Sequence, residues 1–291
     1  MKYQFRTNLL ITAGILLLAV ALVLASPAQA ITWGFPDETN TYSNVGAIVV
    51  DLTDRDPLQF CSGTLIAPTI FLTAGHCTDY LVNVLIAGGR LTLETTLVSF
   101  DKDDVTNPET WIAVQEIVTH PLYGIKEGND DHDVGLLVLA EAVNLPLANL
   151  PPEGYLDQLY AAGLLNDGTW RETFIVVGYG DAIAFSPADY PPAIVDDGNG
   201  RWYGESAYQG LQDAWLLMTQ NFLKDVQGTC YGDSGGPAFY QDADGKLWLV
   251  GITSWGDMNC IATGFDYRVD IATTLDFVDD YLSPNPHPQK P

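Results

Sequence analysis

The chain has 291 residues, of which 47% are hydrophobic and only 17% charged, which excludes a disordered chain and allows one or two domains with a large core. Its 12 Lys and Arg stand against 37 Asp and Glu, a formal charge of −25. No basic patch for nucleic acid can form from that balance, and the surface repels itself, as suits a soluble monomer.

Residues 1–30 have the pattern of a secretory signal. Lys2 and Arg6 give a positive start, Leu9 to Ala25 is an apolar run, and Ala28-Gln29-Ala30 is a small-x-small cleavage site. An uncleaved membrane anchor is the alternative, because the run is nearly long enough to span a bilayer. The expectation is cleavage after Ala30, export, and no membrane contact afterwards. Four cysteines, Cys61, Cys77, Cys230 and Cys260, suit two disulfides in an exported protein, with three possible connectivities. No Cys-x-x-Cys pair is present, so no zinc site is expected, and no other metal or cofactor.

Short apolar runs between turns then follow one another. Val45–Val50 reads as a mostly buried strand, Phe60–Ile66 as a second, and Ile70–Thr73 as a third leading into His76 and Cys77. Leu81 to Phe100 reads as strand-rich. Asp101–Asp104 lacks the spacing and the bidentate Glu of a calcium loop and reads as a solvated turn. Ile117–Tyr123 is a strand and turn, with His120 structural. Asp130, Asp131 and Asp133 precede the apolar run Val134–Leu139; Asp130 and Asp131 read as solvated. Residues 144–170 look like a crossover between two halves. Phe174–Gly180 opens the second half with a buried strand and a glycine turn, and Ala182 to Gly210 reads as a long surface excursion. Asp242-Ala243-Asp244-Gly245 between apolar runs is a hairpin signal. Ile271 to Leu282 has the apolar spacing of an amphipathic helix, and 284–291 is a Pro-rich tail. Many short strands between turns imply an all-β sandwich or barrel.

Three stretches carry chemistry. Thr229-Cys230-Tyr231-Gly232-Asp233-Ser234-Gly235-Gly236-Pro237 puts one serine among three glycines, which tolerate φ > 0 and let backbone N–H groups face a ligand. A serine needs a base for its proton and donors for the oxyanion that it creates. Thr73-Ala74-Gly75-His76-Cys77 offers the base, and Asp133, at the entrance of a buried strand, offers an acid that an imidazole N–H can satisfy. The order His76, Asp133, Ser234 separates this chain from α/β-hydrolases. Those share Gly-x-Ser-x-Gly but run serine, acid, histidine, and the only histidine after Ser234 is His287 between two prolines.

The three motifs together resemble the trypsin/chymotrypsin-like serine proteases over the stretch from Ile31 to Leu282. The resemblance implies two six-stranded antiparallel β-barrels with a C-terminal helix, a protease domain over 31–283, and the barrels at about 31–150 and 165–283. It implies His76, Asp133 and Ser234 as a catalytic triad, the N–H groups of Gly232 and Ser234 as an oxyanion hole, and protein or peptide substrates. It also implies disulfides Cys61–Cys77 and Cys230–Cys260, and an activation pair between the α-amino group of Ile31 and Asp233. Ser254, Trp255 and Gly256 correspond to the segment beside the substrate. Gly228, followed by Thr229, corresponds to the base of the S1 pocket, and Gly256 and Gly264 to its walls. An uncharged, open slot of that kind favours Phe, Tyr or Leu; a carboxylate supplied by Asp266 would reverse this toward Arg or Lys. The alternative to an enzyme is a catalytically silent binding protein, which the presence of all three residues disfavours.

Overall fold

The computed structural model describes residues 31–52, 55–125, 129–165, 172–184, 193–195 and 200–282. The expected signal segment and Pro-rich tail lie outside the described residues.

The first barrel is closed by six strands: β2 (Val45–Val50), β3 (Leu58–Ala67), β4 (Ile70–Thr73), β5 (Thr96–Ser99), β6 (Ile112–Thr119) and β7 (Gly135–Leu139). Their order round the barrel is β2-β3-β4-β7-β6-β5, all antiparallel. The continuous apolar run of β2 is explained by burial of all six residues. The second barrel is made by β8 (Thr173–Gly178), β11 (Trp202–Leu211), β12 (Trp215–Thr219), β13 (Pro237–Gln241), β14 (Leu247–Gly256) and β15 (Thr263–Arg268), and pairing of β8 with β11 closes it. A two-stranded ribbon, β9 (Ala182–Ala184) with β10 (Ala193–Val195), stands apart. Among the described residues the fold is therefore the pair of six-stranded antiparallel barrels that the resemblance implied.

Four local expectations change. Phe35–Pro36 forms a short strand, β1, that pairs with β11, so the segment after Ile31 belongs to the second barrel rather than the first. Helix α1 (Gly75–Tyr80) and a wider π turn over Leu81–Ile86 replace the expected strand start at Leu81. Cys77, Leu81 and Leu85 are buried at a spacing of four while Val82 and Val84 face solvent, which is a helical face and not a strand. The crossover contains a helix, α2 (Tyr155–Ala161), which buries Leu156 and Leu159 and whose Leu156 N–H is capped by Asp270 at 2.8 Å. The end of the supposed excursion is the ten-residue strand β11. The acidic run after Phe100 is a turn in which Asp101 Oδ1 accepts from the N–H groups of Asp103 and Asp104.

A buried cation joins the barrels. Arg201 is 1% exposed. Its Nε donates to Asp37 Oδ2 at 2.9 Å, and Nη1 donates to the carbonyl of Val45 in the first barrel and to the Tyr179 hydroxyl in the second, each at 3.0 Å. Such a charge is tolerable only because it is paired and fully hydrogen-bonded. The C-terminal helix α3 (Ala272–Leu282) buries Phe277 and Val278, and Phe277 meets the ring of His120 edge-on at 4.9 Å. His120 also stacks on His132 at 5.0 Å. Burial, aided by His132, pushes the His120 pKa down to about 4, so it packs as a neutral ring.

Candidate active site

His76 stands in the first turn of α1, directly after β4, and Cys77 beside it is bonded to Cys61 on β3. That bond ties the helix start to the barrel wall. Asp133 precedes β7 and is 3% exposed. Its carboxylate accepts the His76 backbone N–H at 2.7 Å on Oδ1 and His76 Nδ1 at 2.9 Å on Oδ2. The Ser254 hydroxyl donates to the same Oδ2. Burial alone would raise the Asp133 pKa; the His76 charge and these hydrogen bonds outweigh it and hold the carboxyl below its usual range. Burial likewise works against the charged imidazole of His76, but the Asp133 charge and hydrogen bond win and raise its pKa above the ordinary value.

The residues just before Asp133 are less solvated than expected. Asp130 is half-buried; its Oδ1 accepts the Tyr267 hydroxyl at 2.9 Å and the His132 N–H at 2.8 Å. His132 takes a left-handed φ of 54°. Asp130 therefore shapes the turn that delivers Asp133.

Ser234 is half-buried on the turn between Cys230 and Pro237, and it lines the same cavity as His76, about 330 Å³ in volume. Gly232 and Gly235 have φ of 90° and 84°, and a Cβ on Gly235 would stand 2.0 Å from Thr73 Oγ1. Only glycine suits both conditions. In this turn the N–H groups of Asp233, Gly235 and Gly236 bond to Cys230, Thr253 and Asp233 carbonyls. Among the described residues, the N–H groups of Gly232 and Ser234 have no such partner. The loop is braced from outside: the Gly232 carbonyl accepts from Gln59 Nε2 at 2.8 Å and from the Ser62 hydroxyl at 3.0 Å. The Ser62 hydroxyl accepts the Tyr179 N–H in turn. Asp233 is fully buried, with its carboxylate accepting the N–H groups of Gly180 and Cys230. Cys230 is bonded to Cys260.

The chain matches the family model Trypsin over residues 36–278. It belongs to the trypsin family. This trypsin-family chain is 30% identical over 213 residues to "Trypsin" of Saccharopolyspora erythraea, covering 72% of the chain and 80% of that relative. It is 28% identical to "Trypsin 5G1" of Aedes aegypti, over 74% and 72% of the two chains, and 27% identical to "Chymotrypsin-like elastase family member 3B" of Homo sapiens, over 67% of each. The chain is thus a serine protease by family, and the family acts on proteins. Both disulfides of this trypsin-family chain have the expected pairing. The sulfurs of Cys61 and Cys77 lie near the His76 ring, but bonded sulfurs offer no thiolate to a metal.

The remaining expected residues divide in two. Thr229, Ser254, Trp255 and Gly256 line the cavity. Gly228 and Gly264 do not; each lies against the side chain of Gln220, which does line it. Asp266 is fully buried on β15 and is not on the cavity surface. Burial pushes its pKa up to about 8; the Thr253 hydroxyl opposite it pulls the other way without reaching a full hydrogen bond. At neutral pH Asp266 is therefore mostly a neutral acid. Ile31 is buried in the core of the second barrel, and Thr32 pairs with Gly228. Three participants carried no motif signal: Gln59, Ser62 and Gln220. The first two lie 173 and 170 residues from the Gly232 that they hold.

Proposed function

We propose that this chain is a secreted serine endopeptidase that cleaves peptide bonds through Ser234, His76 and Asp133 by way of an acyl-enzyme. The observation that carries the reading is a half-buried His76, hydrogen-bonded to a buried Asp133, that faces the same cavity as Ser234, whose turn leaves two N–H groups without a backbone partner among the described residues. Ser234 Oγ attacks the scissile carbonyl carbon, and its proton passes to His76 Nε2. The negative oxygen that forms is held by the N–H groups of Gly232 and Ser234, donors already fixed in place before reaction. Asp133 keeps the His76 proton on Nδ1 and stabilises the imidazolium. That imidazolium then protonates the departing amine, which breaks the C–N bond and leaves the acyl group on Ser234. A water gives its proton to His76 and attacks the ester carbon; His76 then returns the proton to Ser234 Oγ as the C–O bond breaks, which frees the acid and restores the serine.

Secretion rests on the apolar leader with its cleavage site, and the two disulfides support an oxidising compartment. Among the described residues no helix is long and apolar enough to cross a membrane. Cleavage after Ala30 would free the Ile31 amine to pair with Asp233, ordering the Gly232 turn. The burial of Ile31 and of Asp233 supports that pairing.

One experiment addresses these steps together. The secreted protein is treated with a serine-directed phosphonate, and intact mass and peptide maps are recorded beside peptide hydrolysis. The expected result is a single adduct on Ser234, a chain starting at Ile31, and a fall of about 10⁶ in kcat for a folded Ser234→Ala variant. Unchanged hydrolysis in that variant refutes the triad, and full activity in a chain with extra N-terminal residues refutes the pairing.

A further inference from the structure

The glycines that correspond to the base and walls of the S1 pocket suggest an open slot, but the slot has a floor of its own. Gln220 follows β12 and is 3% exposed. Its side chain runs between all three glycines. A Cβ on Gly228 would stand 2.5 Å from its Cβ and Cγ, and one on Gly264 2.7 Å from its Nε2. On the third side, the Gln220 atom nearest a Cβ on Gly256 is Oε1, at 3.8 Å, and Gly256 lines the cavity.

The amide has one possible orientation. Nε2 donates to the Thr229 carbonyl at 2.9 Å and to Thr229 Oγ1 at 3.0 Å. A carbonyl can only accept, so the nitrogen must face Thr229 and the oxygen must face away. Among the described residues Oε1 is buried without a hydrogen-bond partner, and so is Thr253 Oγ1, whose residue also lines the cavity. A buried unpaired acceptor is costly, so one at the edge of a cavity calls for a partner.

We infer that Gln220 sets the substrate preference of this cavity, which takes a residue before the scissile bond whose uncharged side chain ends in an N–H or O–H donor, an amide or a hydroxyl. The donor meets Gln220 Oε1. An aliphatic or phenyl side chain of the same size would leave that oxygen unpaired. Asp257, which also lines the cavity, has its carboxylate taken up by the N–H groups of Ile261, Ala262 and Thr263, and Asp266 lies buried off the cavity surface and mostly neutral at pH 7, so a cation finds no uncommitted counter-charge among the described lining residues. The assignment rests on the protease reading, since it names the substrate class of the same site. Of the Phe, Tyr or Leu expected of an empty slot, it keeps only Tyr.

The test compares kcat/KM for peptides that differ only in the residue before the cleaved bond, in two near-isosteric pairs, Gln against Met and Tyr against Phe, with Lys as a fifth. The wild type should prefer Gln over Met and Tyr over Phe by tenfold or more. Gln220→Leu, which keeps the bulk and removes the acceptor, should erase both preferences. Gln220→Glu, which keeps the shape and adds charge, should raise Lys above Gln by tenfold or more. Should the leucine variant fail to fold, the wild-type pairs and the glutamate variant still decide. A wild type that takes Met and Phe as well as their partners, or prefers Lys, overturns the inference while leaving the protease reading intact. No hydrolysis of any peptide by the wild type overturns both.

Discussion

Replacing Asp133 with Asn keeps the shape of the side chain and reverses half of its hydrogen bonding. The carboxylate accepts two donors from one residue, the His76 N–H on Oδ1 and Nδ1 on Oδ2. An amide has a single accepting oxygen. If that oxygen keeps the backbone N–H, the NH₂ group faces Nδ1 and draws the imidazole into the tautomer with its proton on Nε2. That nitrogen must be free to take the Ser234 proton, so kcat should fall by about 10⁴. The acid limb of the pH profile should move as well. The His76 pKa is raised because the Asp133 charge and hydrogen bond outweigh burial. Without them only burial acts, and it favours the neutral ring. The acid limb in kcat/KM should therefore lie above pH 6.5 in the wild type and below it in the Asp133→Asn variant, read from rates across about pH 5 to 9. Stability obeys the same linkage. The depressed Asp133 contributes stability present above its unfolded pKa and lost as pH falls through the folded one; the raised His76 contributes stability present below its unfolded pKa and lost as pH rises through the folded one. The wild type should thus exceed the variant most between those limits. A variant within tenfold of wild type, or an acid limb that stays or rises, refutes the reasoning.

Two further perturbations probe the frame. Ser62→Ala removes the hydroxyl that links the Tyr179 N–H to the Gly232 carbonyl; one such hydrogen bond is worth about 1 kcal/mol, so kcat should drop roughly fivefold with KM little changed, and an equal loss in KM alone would show that the loop is not positioned by Ser62. Asp37→Ala strips the fully buried Arg201 of its counter-charge and frees the Thr41 and Tyr42 N–H groups; urea unfolding should show a loss of about 3–5 kcal/mol, and a loss under 1 kcal/mol would mean that the barrels do not depend on this pair.

What could be read from the chain alone divides along physical lines. The stretches around His76, Asp133 and Ser234 were legible because each demands particular residues locally. The serine turn needs glycine where φ is 90° and 84°, a cysteine pins each of the histidine and serine stretches, and the acid stands at the mouth of an apolar strand. Leu81–Ile86 was misread because its branched residues look strand-like, whereas burial falls on every fourth residue. Contacts between distant segments left no local mark: Arg201 meets Asp37 across 164 positions, and Ser62 meets Gly232 across 170. The pocket shows why this matters for substrate choice. Three glycines in a wall announce missing side chains, and missing side chains read as open space. Space inside a protein is filled if a neighbour can reach it. Here Gly228 lacks a Cβ because one would stand 2.5 Å from Gln220, so the glycine is the imprint of the glutamine rather than of a substrate. The chemistry of a site can be carried by a short motif, but its selectivity is carried by whatever side chain the fold brings to the floor, and here that is a residue outside every motif.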